Sequence, residues 1–430
     1  MSKQLHKNFI DEQVKLLLKS YVDKEIKIDY ILSILGIKRS RFFELLNRYK
    51  KDPNNFSIQY NRKTINRKID KAIETNIIKE LNIEKDLIKA KEIPIRWYNY
   101  SYIKDILEND YNQKVSLSTI INRAKTNGFY LTKPKRKVHD REVITNYPGE
   151  LIQHDSSHHQ FAPYANSKWY LITSLDDYSR LILYACLVER ETTWANIIAL
   201  KVVILRYGIP YAYYVDSHSI YRFVQGRDSN WRNHYKLTDE VEPQWKQVLN
   251  DCGVKVIYAL SPQAKGKIER PYGWIQDRLV RACYRKRISD INQAQLVLNS
   301  LIQEYNHQWI HSTTGEIPYI RFQRAYAENK SLFREFRIRP PYKSINDIFC
   351  LRADRMVNSY RKVSINKLEL KVPKAPLHDL SACVHAQAES IQLRIVPDRE
   401  SGLSEVRFWY EDEFLGSQKV KNSDLNLVQF

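Results

Sequence analysis

Apolar side chains recur at helical spacing through residues 8–50. Ile28, Tyr30, Ile31, Ile34 and Leu35 are expected to bury one face of a short helix, after which Gly36 permits a tight turn. From Ile37 to Tyr49 the same spacing turns Phe42, Leu45 and Leu46 inward and leaves Lys38, Arg39, Arg41 and Arg48 mostly outward. Two short helices about such a turn fit a helix-turn-helix, whose second helix can enter a major groove of DNA. A plain three-helix packing unit fits the same pattern, and Lys38 stands where a capping Ser or Thr is usual.

After KKDPNN, a charged helical stretch is expected over roughly 62–90, closed by Pro94. Ser101 is expected to cap a helix running through Leu107. Ser116 is expected to cap another that carries Leu117, Ile120 and Ile121, with Gly128 beyond its end. If this last helix reads DNA, Ser118, Thr119, Asn122 and Arg123 lie near it. The run LTKPKRKVHDR (131–141) is a basic linker whose Lys133, Lys135, Arg136 and Lys137 either follow a phosphate backbone or form a solvated hinge.

Past residue 147 the period shortens. ELIQHDS (150–156), KWYLITSLD (168–176), RLILYACLV (180–188), AYYVDS (212–217) and VKVIYAL (254–260) predict strands. A helix from Thr193 to Tyr207, with Trp194, Ile197, Ile198, Val202 and Leu205 on its apolar side, ends at Gly208–Pro210. Further helices are expected through about Cys283 and over 292–306. This order of elements predicts a mixed α/β sheet covered by helices. From about 333 onward, MVNSYRKVSI, KLELKVP, IQLRIVP and EVRFWYE predict a small β-barrel-like domain. There Arg352, Arg355 and Arg361 would meet DNA, or the domain would only dock partner subunits.

The expected chain is therefore multidomain. An all-α helix-turn-helix region (1–55) precedes a helical region with a second helix-turn-helix (60–130) and the basic linker (131–146). An α/β core (147–325) and the small β-rich domain (333–430) follow.

Charge sharpens this picture. The 69 Lys and Arg against 49 Asp and Glu leave a formal excess of +20. Residues 1–140 alone carry 30 against 17, so most of the excess sits in front of the core. Such a balance favours a polyanionic partner but also serves solubility alone. The five cysteines form no CxxC pair, which argues against a disulfide framework or zinc knuckle and for reduced thiols in the cytoplasm. MSKQLHKNFIDEQVK lacks the apolar stretch of a signal peptide, and no uncharged run approaches 18 residues, so no membrane span is expected.

Candidate chemistry sits at strand ends. Asp155 ends LIQHD, Asp216 ends YYVD, and Glu269 lies in SPQAKGKIERPYGWIQDRL near the start of a helix able to bring it over the same sheet edge. Three carboxylates with no Cys or His requirement suit Mg²⁺, with Mn²⁺ as substitute. Two such ions about 3.5–4 Å apart serve phosphodiester chemistry without a side-chain nucleophile. Asp176, Asp177, Asp228, Asp239 and Asp277 are further acidic choices, so spacing alone leaves the triad open. Gln263, Lys265, Lys267, Arg270 and Arg278 form a candidate phosphate track, or else Lys265 and Lys267 form a solvated loop and Arg278 pairs with a surface acid; His218 is a candidate neighbour of Asp216 or simply closes a turn. His154, His158 and His159 read as DNA contacts or local hydrogen bonding, because a His-rich site would suit zinc better.

These motifs together resemble insertion-sequence transposases of the DDE class, most closely the ISNCY-type group. LIQHDSSHHQF matches the first acidic motif, YVDSHSIYR the second and SPQAKGKIERPYGWIQDRLV the third; VERETTW and YNHQW also follow the group's pattern. The resemblance covers roughly 95–330 well and the ends more loosely. It implies an integrase-type catalytic core of the RNase H-like fold with Asp155, Asp216 and Glu269 as ligands of two metal ions. It also implies binding to terminal inverted repeats, strand transfer into target double-stranded DNA by a homodimer or larger assembly, and a nucleoid-associated place in the cytoplasm. A domesticated relative that binds DNA without cutting it, or a plain Mg²⁺-dependent nuclease, is the alternative. Three features depart from the pattern: Ser156 follows the first Asp where Gly is frequent, Pro271 closely follows Glu269, and 53 residues separate Asp216 from Glu269, with 222–243 absorbing the excess. No HHCC zinc module precedes the core.

Overall fold

The computed structural model describes residues 5–59, 69–132, 144–216, 243–259, 266–358, 360–365, 368–373 and 390–425. They divide into two compact units, Met1–Glu74 and Thr75–Phe430.

In the first unit, α1 (Asp11–Val22), α2 (Ile28–Leu35) and α3 (Arg39–Lys51) bury Val14, Leu18, Ile31, Leu35, Phe42, Leu45 and Leu46 around one small core. Gly36 ends α2 at φ 62°, the left-handed conformation that costs a glycine least. Tyr30 and Ile34, expected inward, are 58% and 39% exposed. In a helix of only eight residues, Ile31 and Leu35, one turn apart, take the whole buried stripe. Lys38 begins α3 without a side-chain cap.

The second unit opens with most of α4 (Lys71–Lys89), then α5 (Tyr100–Asn109) and α6 (Leu117–Thr126). Ser116 caps α6 as expected, accepting from the Thr119 amide at 3.2 Å. The cap of α5 is Asn99 and not Ser101: its side chain accepts from the Tyr102 amide at 3.0 Å and from the Ser101 hydroxyl at 2.7 Å. An Asn side chain reaches the N3 amide as well as a serine does, so Ser101 falls inside the helix.

Five strands follow: β1 (Leu151–His159), β2 (Trp169–Asp176), β3 (Ile182–Val188), β4 (Ala212–Val215) and β5 (Lys255–Tyr258). They lie in the order β3-β2-β1-β4-β5, with β1–β2–β3 antiparallel and β1–β4–β5 parallel. This is the mixed sheet expected of an RNase H-like core. The crossover α7 (Thr193–Tyr207) joins β3 to β4, and α8 (Gln244–Asp251) precedes β5. Together α7 and α8 cover one face, packing Trp194, Ile197, Leu200, Trp245 and Val248 against Ile152, Tyr213 and Val215. The other face is covered by α9 (Gly266–Arg285) and α10 (Ile291–His307), through Ile275, Leu279 and Leu298 against Leu171 and Leu175. The buried stripe of α7 continues through Leu200, Val203 and Ile204, so Val202 and Leu205 are exposed, contrary to expectation.

After α11 (Pro318–Ala327) and the short α12 (Ile345–Ile348) come β6 (Leu351–Met356), β7 (Lys362–Ile365), β8 (Leu368–Lys371), β9 (Ser390–Pro397), β10 (Leu403–Tyr410) and β11 (Glu413–Lys421). Among the described residues these form an antiparallel sheet, β11-β10-β9-β6, and a β7–β8 hairpin. Leu351, Val363, Leu393, Val406 and Phe408 belong to the same apolar cluster as α7 and α8. The β-rich part is therefore built onto the core. Arg352 shows how: instead of meeting DNA it is largely buried and paired with Asp251 of α8. Arg355 is half-buried and Arg361 exposed.

Candidate active site

Asp155 lies in β1, and Asp216 is the first residue past β4. The parallel register pairs Leu151 with Ala212, Ile152 with Tyr213 and Gln153 with Tyr214. Carried two residues further, the same register would set Asp155 opposite Asp216, which follows the carboxyl end of β4. Adjacent parallel strands thus bring two acids 61 positions apart to one sheet edge. Both are half-buried.

Helix α9 closes over this edge. The Tyr272 hydroxyl donates to the backbone oxygen of Asp155 at 2.6 Å, and one turn later Gln276 Nε2 donates to Ser157 Oγ. Burial pushes the Tyr272 phenol well up; the charges of Asp155, Glu191 and Asp216 push the same way, while a hydrogen bond with Thr173 opposes them. Tyr272 is therefore a permanently neutral donor set among three carboxylates. Glu269 is three residues earlier, in the first turns of α9; its side chain lies outside the described residues, as does that of Lys267. Pro271 is the sixth residue of α9, and the helix continues through it. Having no N–H, it leaves the carbonyl of Lys267 without its usual helical donor, in the segment that carries Glu269.

The charge of Glu191 also bears on Tyr272. Glu191 sits between β3 and α7, immediately before Thr192, whose side chain caps α7. Among the described residues no three Asp, Glu, His or Cys side chains form a metal-holding group.

The other acids have structural roles. Asp177 is buried and accepts from Gln153 Nε2 at 2.5 Å, Thr145 Oγ1 at 2.7 Å and Arg180 Nη1 at 2.9 Å. Asp277 pairs with Arg281 at 2.9 Å. Asp228 and Asp239 lie outside the described residues. Asp176 is fully buried, accepting from the amides of Gly149 and Ser179, each at 2.9 Å, and from the Ser179 hydroxyl at 2.5 Å. Burial nevertheless outweighs these bonds and pushes its carboxyl up to about 6. A folded value above the unfolded one, about 3.9, favours the protonated fold. The stabilisation is complete below about pH 4 and lost as pH rises through about 6. Asp176→Asn should remove this part of the slope, on the order of 3 kcal/mol between pH 4 and 7, in thermal melts of both proteins across that range.

The histidines divide. His154 is fully buried, bridging Ser174 Oγ at 2.9 Å and Asn196 Oδ1 at 2.8 Å and stacking on Trp245, so it packs the core and does not touch DNA. His158 is exposed and stacks on Tyr170. Burial, then Lys168 and His158, hold the His159 imidazole below its usual value.

Among the candidate DNA contacts, Lys38 and Arg39 are exposed at the start of α3, with Arg39 in a solvent-facing pair with Asp29 at 3.2 Å. Arg41 pairs with Glu44 at 2.5 Å. On α6, Ser118 is exposed, and Thr119 and Arg123 are half-buried. Lys135, Arg136, His218, Gln263 and Lys265 lie outside the described residues. Arg278 is a correction: it is 2% exposed, pairs with Asp105 at 2.8 Å and stacks on Trp274 and Trp309. A cation so enclosed is not available to a phosphate.

The chain is 30% identical over 185 residues to the transposase for insertion sequence IS1202 of Streptococcus pneumoniae, a match covering 43% of this chain and 38% of that protein. It is 24% identical over 241 residues to y4bF of Sinorhizobium fredii, a protein named as a transposase, covering 56% of this chain and 48% of that one. Over about half its length, the chain is similar in sequence to transposases. It matches less than half the length of either of these relatives. No protein-family profile matches it. Among solved structures it is similar to the HTLV-2 integrase catalytic core domain in complex with magnesium, at 17% identity over 41% of this chain and 97% of that one, with a TM-score of 0.31. Similarity to the simian T-cell lymphotropic virus intasome with a PP2A regulatory subunit is 13% identity over 71% of this chain and 89% of that one, with a TM-score of 0.34. The fold assignment rests on this chain's own strand order.

Proposed function

We propose that this chain is a DDE transposase of the ISNCY type that binds the terminal repeats of a mobile element, hydrolyses a phosphodiester at each end and joins the resulting 3′ hydroxyl to target DNA. The observation that supports this reading is the parallel β1–β4 register, which continued past Gln153 and Tyr214 would set Asp155 opposite Asp216, with Tyr272 of the helix that bears Glu269 bonded to the backbone of Asp155. The donor chemistry fits a hard divalent cation: the acids at this edge offer carboxylate oxygens, while His154, the residue before Asp155, is consumed in the core. Asp155, Asp216 and Glu269 would hold two Mg²⁺ ions, or Mn²⁺ in their place, which when bound acidify the attacking hydroxyl and offset charge at phosphorus.

The protein's own groups do the rest. Tyr272 fixes the backbone of Asp155, within β1, through an uncharged donor, so this stretch of the strand does not shift as the carboxylates change charge. Lys38, Arg39 and Arg41 on α3, and Ser118, Thr119 and Arg123 on α6, would contact element ends. Lys135 and Arg136 would follow the backbone between them and the core. His218, Gln263, Lys265 and Lys267 would meet the strand being cut. Two ends must be processed together, which calls for a dimer or larger assembly on DNA.

The test incubates purified protein with labelled duplexes taken from the DNA flanking its coding sequence, a target plasmid and Mg²⁺. Covalently joined product that vanishes on adding EDTA is expected. Binding with no cut or joined product under Mg²⁺ or Mn²⁺ would point to the domesticated alternative.

A further inference from the structure

Helix α9 is a wall shared by two parts of the second unit. Ile275, Leu279 and Cys283 face the sheet, with Tyr272 and Gln276 bonded to β1. The opposite side carries a ladder of arginines at 278, 281 and 285, each paired with an acid from the helices ahead of the core. Arg278 meets Asp105 of α5 at 2.8 Å; Arg281 meets Glu84 of α4; Arg285 meets Glu80 of α4 at 2.6 Å. Arg281 also donates to the Trp97 carbonyl at 2.8 Å, Asn99 reaches back to Asp277, and Val280 packs among Leu87, Ile93 and Ile95. Arg281 and Glu84 are each about 1% exposed, and Glu80 is fully buried.

Surface ion pairs are interchangeable with water, but these are not. A buried charge is held in one geometry by its partner, and sliding α4 by one turn would strand several charges at once. In turn, the segment that directly follows α6 is fastened to this block: the Tyr100 hydroxyl donates to the Phe129 carbonyl at 2.9 Å, Tyr98 meets Phe129 edge-on and Tyr100 stacks with Tyr130.

We infer that Arg278, Arg281 and Arg285 are positioning residues that lock the α4–α6 helices to α9 as one body, fixing the distance between the DNA sequence contacted by α6 and the phosphate presented to the carboxylates. The inference rests on the proposed transposase reading and adds to it a ruler. Recognition and cutting are then coupled through α9 without any arginine of the ladder touching DNA.

The test uses the full chain and Glu80→Gln/Asp105→Asn, which removes both outer acids while leaving the central pair and every proposed ligand intact. Two measurements are made. In the metal-free protein, hydrogen exchange of the α5 amides and of the first turns of α9 should rise together by about tenfold, the scale of a lost charge-assisted hydrogen bond. On flanking DNA with Mn²⁺, the parent should cut at one phosphate per end, whereas the variant should scatter its cuts over neighbouring phosphates. Nicking of non-specific plasmid should stay within about twofold of the parent. Glu84→Met/Arg281→Met, which replaces the central pair by a dry contact of similar volume, should keep the single cut site. If Glu80→Gln/Asp105→Asn cuts at the same single phosphate and α9 exchange is unchanged, the ladder is only structural and the inference fails alone. If the parent shows no metal-dependent cutting of any DNA, the functional reading fails and takes the inference with it.

Discussion

Asp216→Asn should reduce both strand cleavage and joining by about a thousandfold or more, the rate equivalent of roughly 4 kcal/mol of lost transition-state stabilisation. An amide keeps the shape of the carboxylate but offers one neutral oxygen, so a hard divalent cation loses both charge and a donor. Asp216 lies past the last residue of β4 and belongs to neither large apolar cluster. The substitution should therefore leave the melting temperature and DNA binding essentially unchanged, and that combination distinguishes loss of chemistry from loss of fold. Asp155→Asn should behave alike. Equal losses in cleavage and joining are expected because both steps use the same carboxylates; a variant that cuts normally but does not join would contradict a single shared site.

Arg281→Met should destabilise the second unit by about 3–5 kcal/mol, because it leaves the Glu84 carboxylate buried with its principal cation gone. Burial already pushes the Glu84 carboxyl above its usual range against the opposing effect of Arg281. Without the guanidinium, Glu84 should take up a proton on folding, which makes the loss larger at pH 8 than at pH 5. Glu84→Met/Arg281→Met should recover most of the stability, since volume-matched apolar pairs often replace buried ion pairs at little cost. Denaturant unfolding of the three proteins at both pH values checks this. If the single and double variants are equally destabilised, the pair is not coupled as described.

Elements whose signal is local were legible in the sequence. Strands β2 and β3 announce themselves as apolar runs, and the bounds of α7 follow from Thr192–Thr193 at one end and Gly208–Pro210 at the other. The pairing of Asp155 with Asp216 was not legible from spacing, which left Asp176, Asp177 and other acids open; Asp155 lies within β1, and only the parallel β1–β4 register brings the two strands side by side. What failed depends on partners far away in the chain. Arg278 reads as a phosphate contact until Asp105, 173 residues earlier, comes beside it. Arg352 reads the same way until Asp251 does. Val202 and Leu205 lie beside the true stripe of α7 and are as apolar as its members, so composition could not assign the face. Strand β11 was missed because only Leu415 among its residues is buried; an edge strand with one side in solvent has no run of apolar residues to betray it. Asn99 displaced Ser101 as a cap because both residue types suit that position and only the backbone decides.

The most direct measurement is anomalous scattering from crystals of the full chain soaked in Mn²⁺ with bound flanking DNA. Manganese density lying between the carboxylates of Asp155, Asp216 and Glu269, each oxygen within about 2.0–2.3 Å of an ion, is the expected result. Density held elsewhere, or a Glu269 carboxylate turned away from the other two in an assembly that joins DNA in the crystal, would contradict it.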